Sequence, residues 1–190
     1  MGIVLASGSP RRRELMEMLG VRDLRIIPAR GEEKYAPGLQ PAEIVRVLSR
    51  AKAEEVAAAC APEDVVVAAD TVVWVDDRVF GKPKDRAEAL AMLHTLSGRG
   101  HEVFTGVTVL RGGECRSETE RTEVFFRPLT DREIEAYVDS GEPMDKAGAY
   151  GAQGLASLFV RGIRGDFFNV MGLPICRLGE MLKQQGVELI

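Results

Sequence analysis

One stretch near the N-terminus, Ser7-Gly8-Ser9-Pro10-Arg11-Arg12-Arg13, joins hydroxyls, guanidinium groups and a helix start. An apolar run at residues 3–6 precedes it and reads as a buried strand. Ser9 stands where an N-cap belongs, and Pro10 where the first helical residue belongs. Leu15, Met18 and Leu19 follow at helical spacing, and Gly20 closes the element. Three arginines thus crowd a helix N-terminus, where the macrodipole disfavours each exposed cation by roughly 0.3–1 kcal/mol. Amides, hydroxyls and guanidiniums meeting at a strand-to-helix turn suit a phosphate. An arginine triplet also occurs as plain solvated surface or as a basic patch.

Carboxylates and lysines elsewhere favour the phosphate. Asp70 directly follows a β-branched run at residues 65–69, and a carboxylate at a strand's end commonly faces a crevice. A turn or capping aspartate is the plainer explanation. Glu32 and Glu33 lie in a loop, and either could join Asp70 in an oxygen-rich site for Mg²⁺. Lys52 falls on the buried stripe of a helix, from which it snorkels to solvent or points into a polar cleft. Lys82, set between Gly81 and Pro83, is a second candidate phosphate contact or an exposed loop lysine. Residues 145–154 form a glycine-rich loop, whose amides can approach an anion or a base edge.

These groups sit in an ordinary chain of 190 residues, 45% hydrophobic and 28% charged, with net charge −4. That is enough for a sizeable core. The acidic balance points away from nucleic acid as a partner. No run approaches the roughly 20 apolar residues of a membrane span, and the N-terminus lacks a signal-peptide pattern. Cys60, Cys115 and Cys176 are widely spaced and odd in number, which suits a reducing, cytoplasmic setting without a zinc site. With only His94 and His101, a histidine-rich metal centre is excluded. There is no G-x-x-x-x-G-K-[ST] loop and no G-x-S-x-G elbow. Hard-metal chemistry on a polyphosphate is what remains.

The elements that must position these residues read as follows. A short strand spans 24–27 and a loop 29–39. A helix runs over 41–59, with Ile44, Val45, Leu48 and Ala51 buried. Two strands, 65–69 and 72–75, flank Asp70-Thr71. Asp85 caps a helix ending near Leu96, with Glu88 completing the start. Strands at 103–110 and 120–126 flank the turn Arg111-Gly112-Gly113. Thr130 and Glu133 form a capping box for a helix ending at Ser140-Gly141. A strand at 158–163 and a helix opened by Pro174 complete the chain. The mixture predicts one α/β domain over residues 1–190 with a mixed, strongly twisted sheet.

The motifs SGSPRRR, AADTVV, GKP, LSG and DKAGAYGAQG, in this order across residues 5–174, resemble those of the Maf family of nucleoside triphosphate pyrophosphatases. The resemblance implies an elongated α/β fold like that of the inosine triphosphate pyrophosphatases, two lobes with a central cleft. It implies hydrolysis of a nucleoside triphosphate to the monophosphate and pyrophosphate, with a divalent cation, Mg²⁺ or Mn²⁺. By motif, Asp70 matches the family's proton acceptor, and Ser9, Arg12, Glu33, Lys52 and Lys82 its catalytic and phosphate-binding set. Arg11, Thr71 and Gln153 match positions that separate subfamilies, and their pattern is similar to the branch acting on dTTP and UTP. Ala152 departs from that branch, which often carries a larger aliphatic residue there.

Two roles stay open at this level. A solvated aspartate has a pKa near 3.9 and is a poor base unless its surroundings raise it. Asp70 is then either the base or first a metal ligand with Glu33, in which case Glu33 is the base. The expected partner is the triphosphate alone, without nucleic acid or membrane, and a homodimer is compatible with the chain. A nucleotidyltransferase and a nucleotide-binding regulator of cell division are the alternative functions.

Overall fold

The computed structural model describes residues 2–21 and 23–190. Its seven-stranded mixed sheet has the order β2-β1-β3-β5-β6-β7, with β4 paired to β3. These strands are β1 (Ile3–Leu5), β2 (Arg25–Ile26), β3 (Val65–Val75), β4 (Arg78–Phe80), β5 (Gly100–Arg111), β6 (Glu114–Phe126) and β7 (Val160–Arg164). The helices are α1 (Pro10–Met18), α2 (Pro41–Ala57), α3 (Arg86–Leu96), α4 (Asp131–Asp139), α5 (Phe167–Met171) and α6 (Ile175–Gln184). β1 runs parallel to both β2 and β3, whereas β3–β4 and β6–β7 are antiparallel. Among the described residues no helix is long and apolar enough to cross a membrane.

The chain divides into two compact units. The first comprises Met1–Asp70, Thr105–Glu120 and Gly172–Ile190. Its core packs Val4 and Ala6 of the first strand segment, Val66 and Ala68 of β3, and Ala53 and Val56 of α2. The buried Asp64 carboxylate fastens the start of β3, accepting from the Gly2 amide at 2.9 Å and from Arg25 at 2.7 Å. α2 lies so close over β5 that a Cβ on Gly106 would stand 2.2 Å from the Val45 carbonyl. A hydroxyl relay, Ser49 to Thr108 at 2.9 Å and Thr108 to Ser117 at 2.8 Å, fixes the helix further.

The second unit comprises Thr71–Phe104 and Arg121–Met171. Its core gathers Val73, Val75, Leu93, Leu96, Val124, Ile134 and the rings of Phe126, Tyr137, Tyr150 and Phe159. The Asp85 cap accepts from the Glu88 amide at 2.8 Å, and the Thr130–Glu133 capping box forms as its sequence requires.

Several expectations need correction. The two strands flanking Asp70-Thr71 are one strand, β3, and Asp70 lies in its interior. Asp70 does not interrupt the strand because its side chain is met there by the Lys52 ammonium. Ala51 is exposed, and the buried stripe of α2 continues through Ser49, Ala53 and Val56 instead. Leu158 closes a 3-10 turn (Leu155–Leu158), so β7 starts at Val160 rather than at 158. α2 starts at Pro41 as expected, with Gln40 at its N-cap, but ends at Ala57 rather than near residue 59.

Candidate active site

β3 alternates its side chains between the two faces of the sheet. Val66 and Ala68 pack against α2, so Asp70, two residues on, shares their face. On α2, Lys52 precedes Ala53 and lies one turn from Val56, both of which face the same strand. The lysine therefore reaches the sheet side of its helix, with a side chain only 19% exposed. Its ammonium makes a short ion pair with Asp70 Oδ1 and donates to Glu33 Oε1 at 2.6 Å. Of the two loop glutamates, Glu33 joins this group, whereas exposed Glu32 pairs with Lys34. Lys52 thus carries two carboxylates rather than snorkelling to bulk water.

The turn after β1 supplies a second cation. Pro10 opens α1 and Ser9 holds the extended N-cap geometry, yet the Ser9 side chain makes no capping hydrogen bond. Ser7 Oγ takes that organising part: it accepts from the Ser9 amide at 3.2 Å and from Arg12 Nη1 at 3.3 Å. Arg12 Nε donates to the Gly172 carbonyl at 2.7 Å, which fixes the guanidinium from the other side. The three arginines do not converge. Arg13 turns outward to Glu17 at 2.7 Å, and half-buried Arg11 adds its field to Arg12.

Two cations and two carboxylates therefore share one place. Burial pushes the Asp70 carboxyl above the usual aspartate range, Glu33 pushes the same way, and Lys52 and Arg12 pull it back. Burial lowers the Arg12 guanidinium, with Asp70 and Glu33 opposing and Arg11 adding to the effect. The outcome is a desolvated carboxylate whose burial two cations partly offset. It can accept a proton, or share an oxygen with a cation, more readily than an aspartate in water. Among the described residues no cluster of three or more histidine, cysteine or acidic side chains is placed to cage a metal ion. Asp70 and Glu33, which meet at the Lys52 ammonium, are hard oxygen donors of the kind that could hold a divalent cation such as Mg²⁺.

The remaining predicted residues belong to the second unit. Thr71 follows Asp70 in β3, so its side chain leaves from the opposite face of the strand. Lys82 is exposed, on a segment tied to the glycine-rich loop by the Gly148 amide, which donates to the Gly81 carbonyl at 3.0 Å. Gln153 is exposed in that loop. The glycines there answer to packing within the protein. Glu142 Oε2 accepts from the Leu155 amide at 3.1 Å and Oε1 from the Tyr137 hydroxyl at 3.0 Å, while Tyr137 Oη accepts from the Gly151 amide at 3.2 Å. A Cβ on Gly154 would stand 2.1 Å from Glu142 Oε1. Ser7, Tyr137 and Glu142 escape a sequence reading because their roles arise from contacts, although Ser7 lies inside the SGSPRRR motif.

Comparison with known proteins agrees with this architecture. The dTTP/UTP pyrophosphatase of Carboxydothermus hydrogenoformans is 53% identical over 188 residues, 98% of this chain and 100% of that protein. The dTTP/UTP pyrophosphatase of Bacillus anthracis is 48% identical over 187 residues, 98% of this chain and 97% of its own. Among solved structures, the Staphylococcus aureus Ham1 protein shares the fold, with a TM-score of 0.51 at 16% identity over 97% of this chain and 100% of that one. The family model described as Maf-like protein matches residues 2–185, and with relatives of this identity over nearly the full length the chain belongs to the Maf family.

Proposed function

We propose that this protein hydrolyses nucleoside triphosphates, dTTP and UTP before others, to the nucleoside monophosphate and pyrophosphate. The observation that carries the reading is the buried Asp70 carboxylate, held by Lys52 beside Glu33 and within the field of Arg12. The names of the full-length relatives support the substrate class.

In this reading a water oxygen attacks the α-phosphorus, the bond to the α–β bridging oxygen breaks, and pyrophosphate leaves with that electron pair. Asp70 takes the proton from the attacking water, a task suited to a carboxyl raised by burial. Lys52 orients Asp70 through their ion pair and holds Glu33 in place. Arg12, braced by Ser7 and Gly172, meets the phosphate chain with Ser9 and the first turn of α1. With Asp70 as the base, Glu33 beside it would hold the divalent cation, Mg²⁺ or Mn²⁺, which would supply neutralising charge to the phosphate oxygens. The family motifs give Lys82 to the phosphate chain, and Arg11, Thr71 and Gln153 to the choice of substrate.

The test is incubation with a panel of triphosphates and Mg²⁺ or Mn²⁺, followed by product analysis. Monophosphate and pyrophosphate in equal amounts, from dTTP and UTP first, are expected. Diphosphate with orthophosphate, or nucleotide transferred to an acceptor, would replace this reading by another. Activity should vanish on exhaustive chelation and return with the added cation.

A further inference from the structure

The loop that carries Glu33 is exposed from Arg30 to Gly38 and has no regular structure between β2 and α2. It nevertheless delivers Glu33 to the Lys52 ammonium at 2.6 Å. A second contact explains how. Glu55, three residues after Lys52 on α2, accepts from two consecutive loop amides: Arg30 to Oε1 at 2.7 Å and Gly31 to Oε2 at 2.9 Å. The approach is so close that a Cβ on Gly31 would stand 2.8 Å from Oε2. Lys52 and Glu55 are neighbours on the helix surface at i and i+3. One helix therefore grips the loop twice, once through backbone amides and once through the Glu33 carboxylate. Two parallel amide bonds to an ionised carboxylate are strong and directional, and they fix the loop two residues before Glu33.

We infer that Glu55 is a positioning residue, which sets the loop so that Glu33 meets Lys52 in the reactive cluster. The inference rests on the role proposed above for Glu33. The two backbone bonds keep the Glu55 carboxyl below its usual range, so the clamp stays ionised throughout the neutral region. Glu55 is exposed and alanine is the best helix former, so Glu55→Ala leaves α2 intact. Gly31→Ala displaces the same carboxylate from the loop side and should reproduce the effect.

The experiment is a double-mutant cycle on kcat/KM for dTTP in the full-length protein, with Glu55→Ala, Glu33→Gln and the two combined. Folding is checked by thermal melting. We expect Glu55→Ala to lose about fivefold and Glu33→Gln to lose more, with the double variant within about twofold of Glu33→Gln alone, the non-additivity of residues acting as one unit. The acid limb of the kcat/KM profile should shift in the same direction in Glu55→Ala as in Glu33→Gln. An unchanged Glu55→Ala, or losses that simply multiply in the double variant, would overturn the inference. A Glu33→Gln protein with full activity would remove the role of Glu33, and Glu55 as its positioner with it. A Glu33→Gln protein that is impaired beside an unaffected Glu55→Ala would leave Glu33 standing and remove Glu55 alone.

Discussion

Asp70 and His101 are buried to nearly the same degree, 6% and 4% exposed, and desolvation is the largest influence on each. Their surroundings lead to opposite results. Asp70, in the first unit, faces Lys52 and Arg12, which offset the cost of burying its charge. His101, in the second unit, stands edge-on to the rings of Phe126 and Tyr150 and shares one hydrogen bond of 2.8 Å with the Tyr150 hydroxyl. Among the described residues its Nδ1 has no partner, and nearby Arg99 further disfavours a positive charge. Burial lowers this imidazole to about 3, so it is neutral through the neutral pH range. The first unit thus holds Asp70 in a charged cluster, where chemistry can use it. The second keeps His101 neutral, as framework for the loop that bears Gln153. Of these two groups, the one met by two cations belongs to the reactive cluster, and the one met by rings is scaffold.

Removing the charge at the reactive end should produce the largest effect. Asp70→Asn keeps the shape of the side chain but neither accepts a proton nor balances Lys52. Turnover of dTTP should fall at least about 100-fold, the scale of a lost general base, with thermal unfolding little changed. Near-normal turnover in a folded variant would place the two buried groups in one class. Sharpening the same point, Lys52→Met removes an influence that holds the Asp70 carboxyl down. The acid limb of its residual kcat/KM profile should move to higher pH, because a base that is harder to ionise is lost earlier on acidification. A limb that moves down, or stays, would detach Asp70 from that limb.

The scaffold end is tested by stability. A histidine whose folded pKa is depressed contributes stability that is present above its unfolded pKa near 6.5 and is lost as pH falls from there toward about 3. Between pH 7 and pH 5 this one group should cost about 2 kcal/mol of unfolding free energy. In His101→Gln that part of the pH dependence should disappear, whatever the variant's absolute stability. Urea titrations at the two pH values measure it, and an unchanged fall would show that His101 is not the group responsible.

The smallest expected effect lies in substrate choice. Glu142→Gln should weaken the hold on the loop at Leu155 without touching Asp70 or Lys52. The lead of dTTP and UTP over CTP should erode by up to about tenfold, the value of one good hydrogen bond, while the acid limb of the profile stays in place. A shifted limb with unaltered preference would assign Glu142 to the reactive cluster rather than to the loop. Gln153→Glu should erode the same lead directly, since glutamate lacks the amide donor.

Local signals in the sequence were read correctly where a few neighbouring residues suffice. Pro10 after Ser9 starts α1, Asp85 caps α3, and Thr130 with Glu133 caps α4, because each device closes within three or four residues. The reading failed where distance intervenes. Asp70 looked like the end of a strand because an isolated carboxylate should not lie inside one. The lysine that permits it comes from α2, 18 residues earlier. The three arginines looked equivalent in the sequence. The Gly172 carbonyl, 160 residues away, selects Arg12 from among them.

What the chain determined by itself is the kind of chemistry available. It holds hydroxyls and arginines at a helix start, Lys52 and Lys82 near its carboxylates or turns, few histidines and a set of ordered motifs, and these persist in any conformation. Tertiary structure alone decided which of those groups act together. It placed Glu33 rather than Glu32 on Lys52, gave Ser7 the organising part beside Ser9, and turned Arg13 to solvent. It also gave loop-holding parts to Glu55 and Glu142, which no spacing announced. The physical reason is that charge and hydrogen bonding act over a few ångströms. Residue type states what a group can do, whereas its protonation, orientation and partner are properties of what the fold brings within that range.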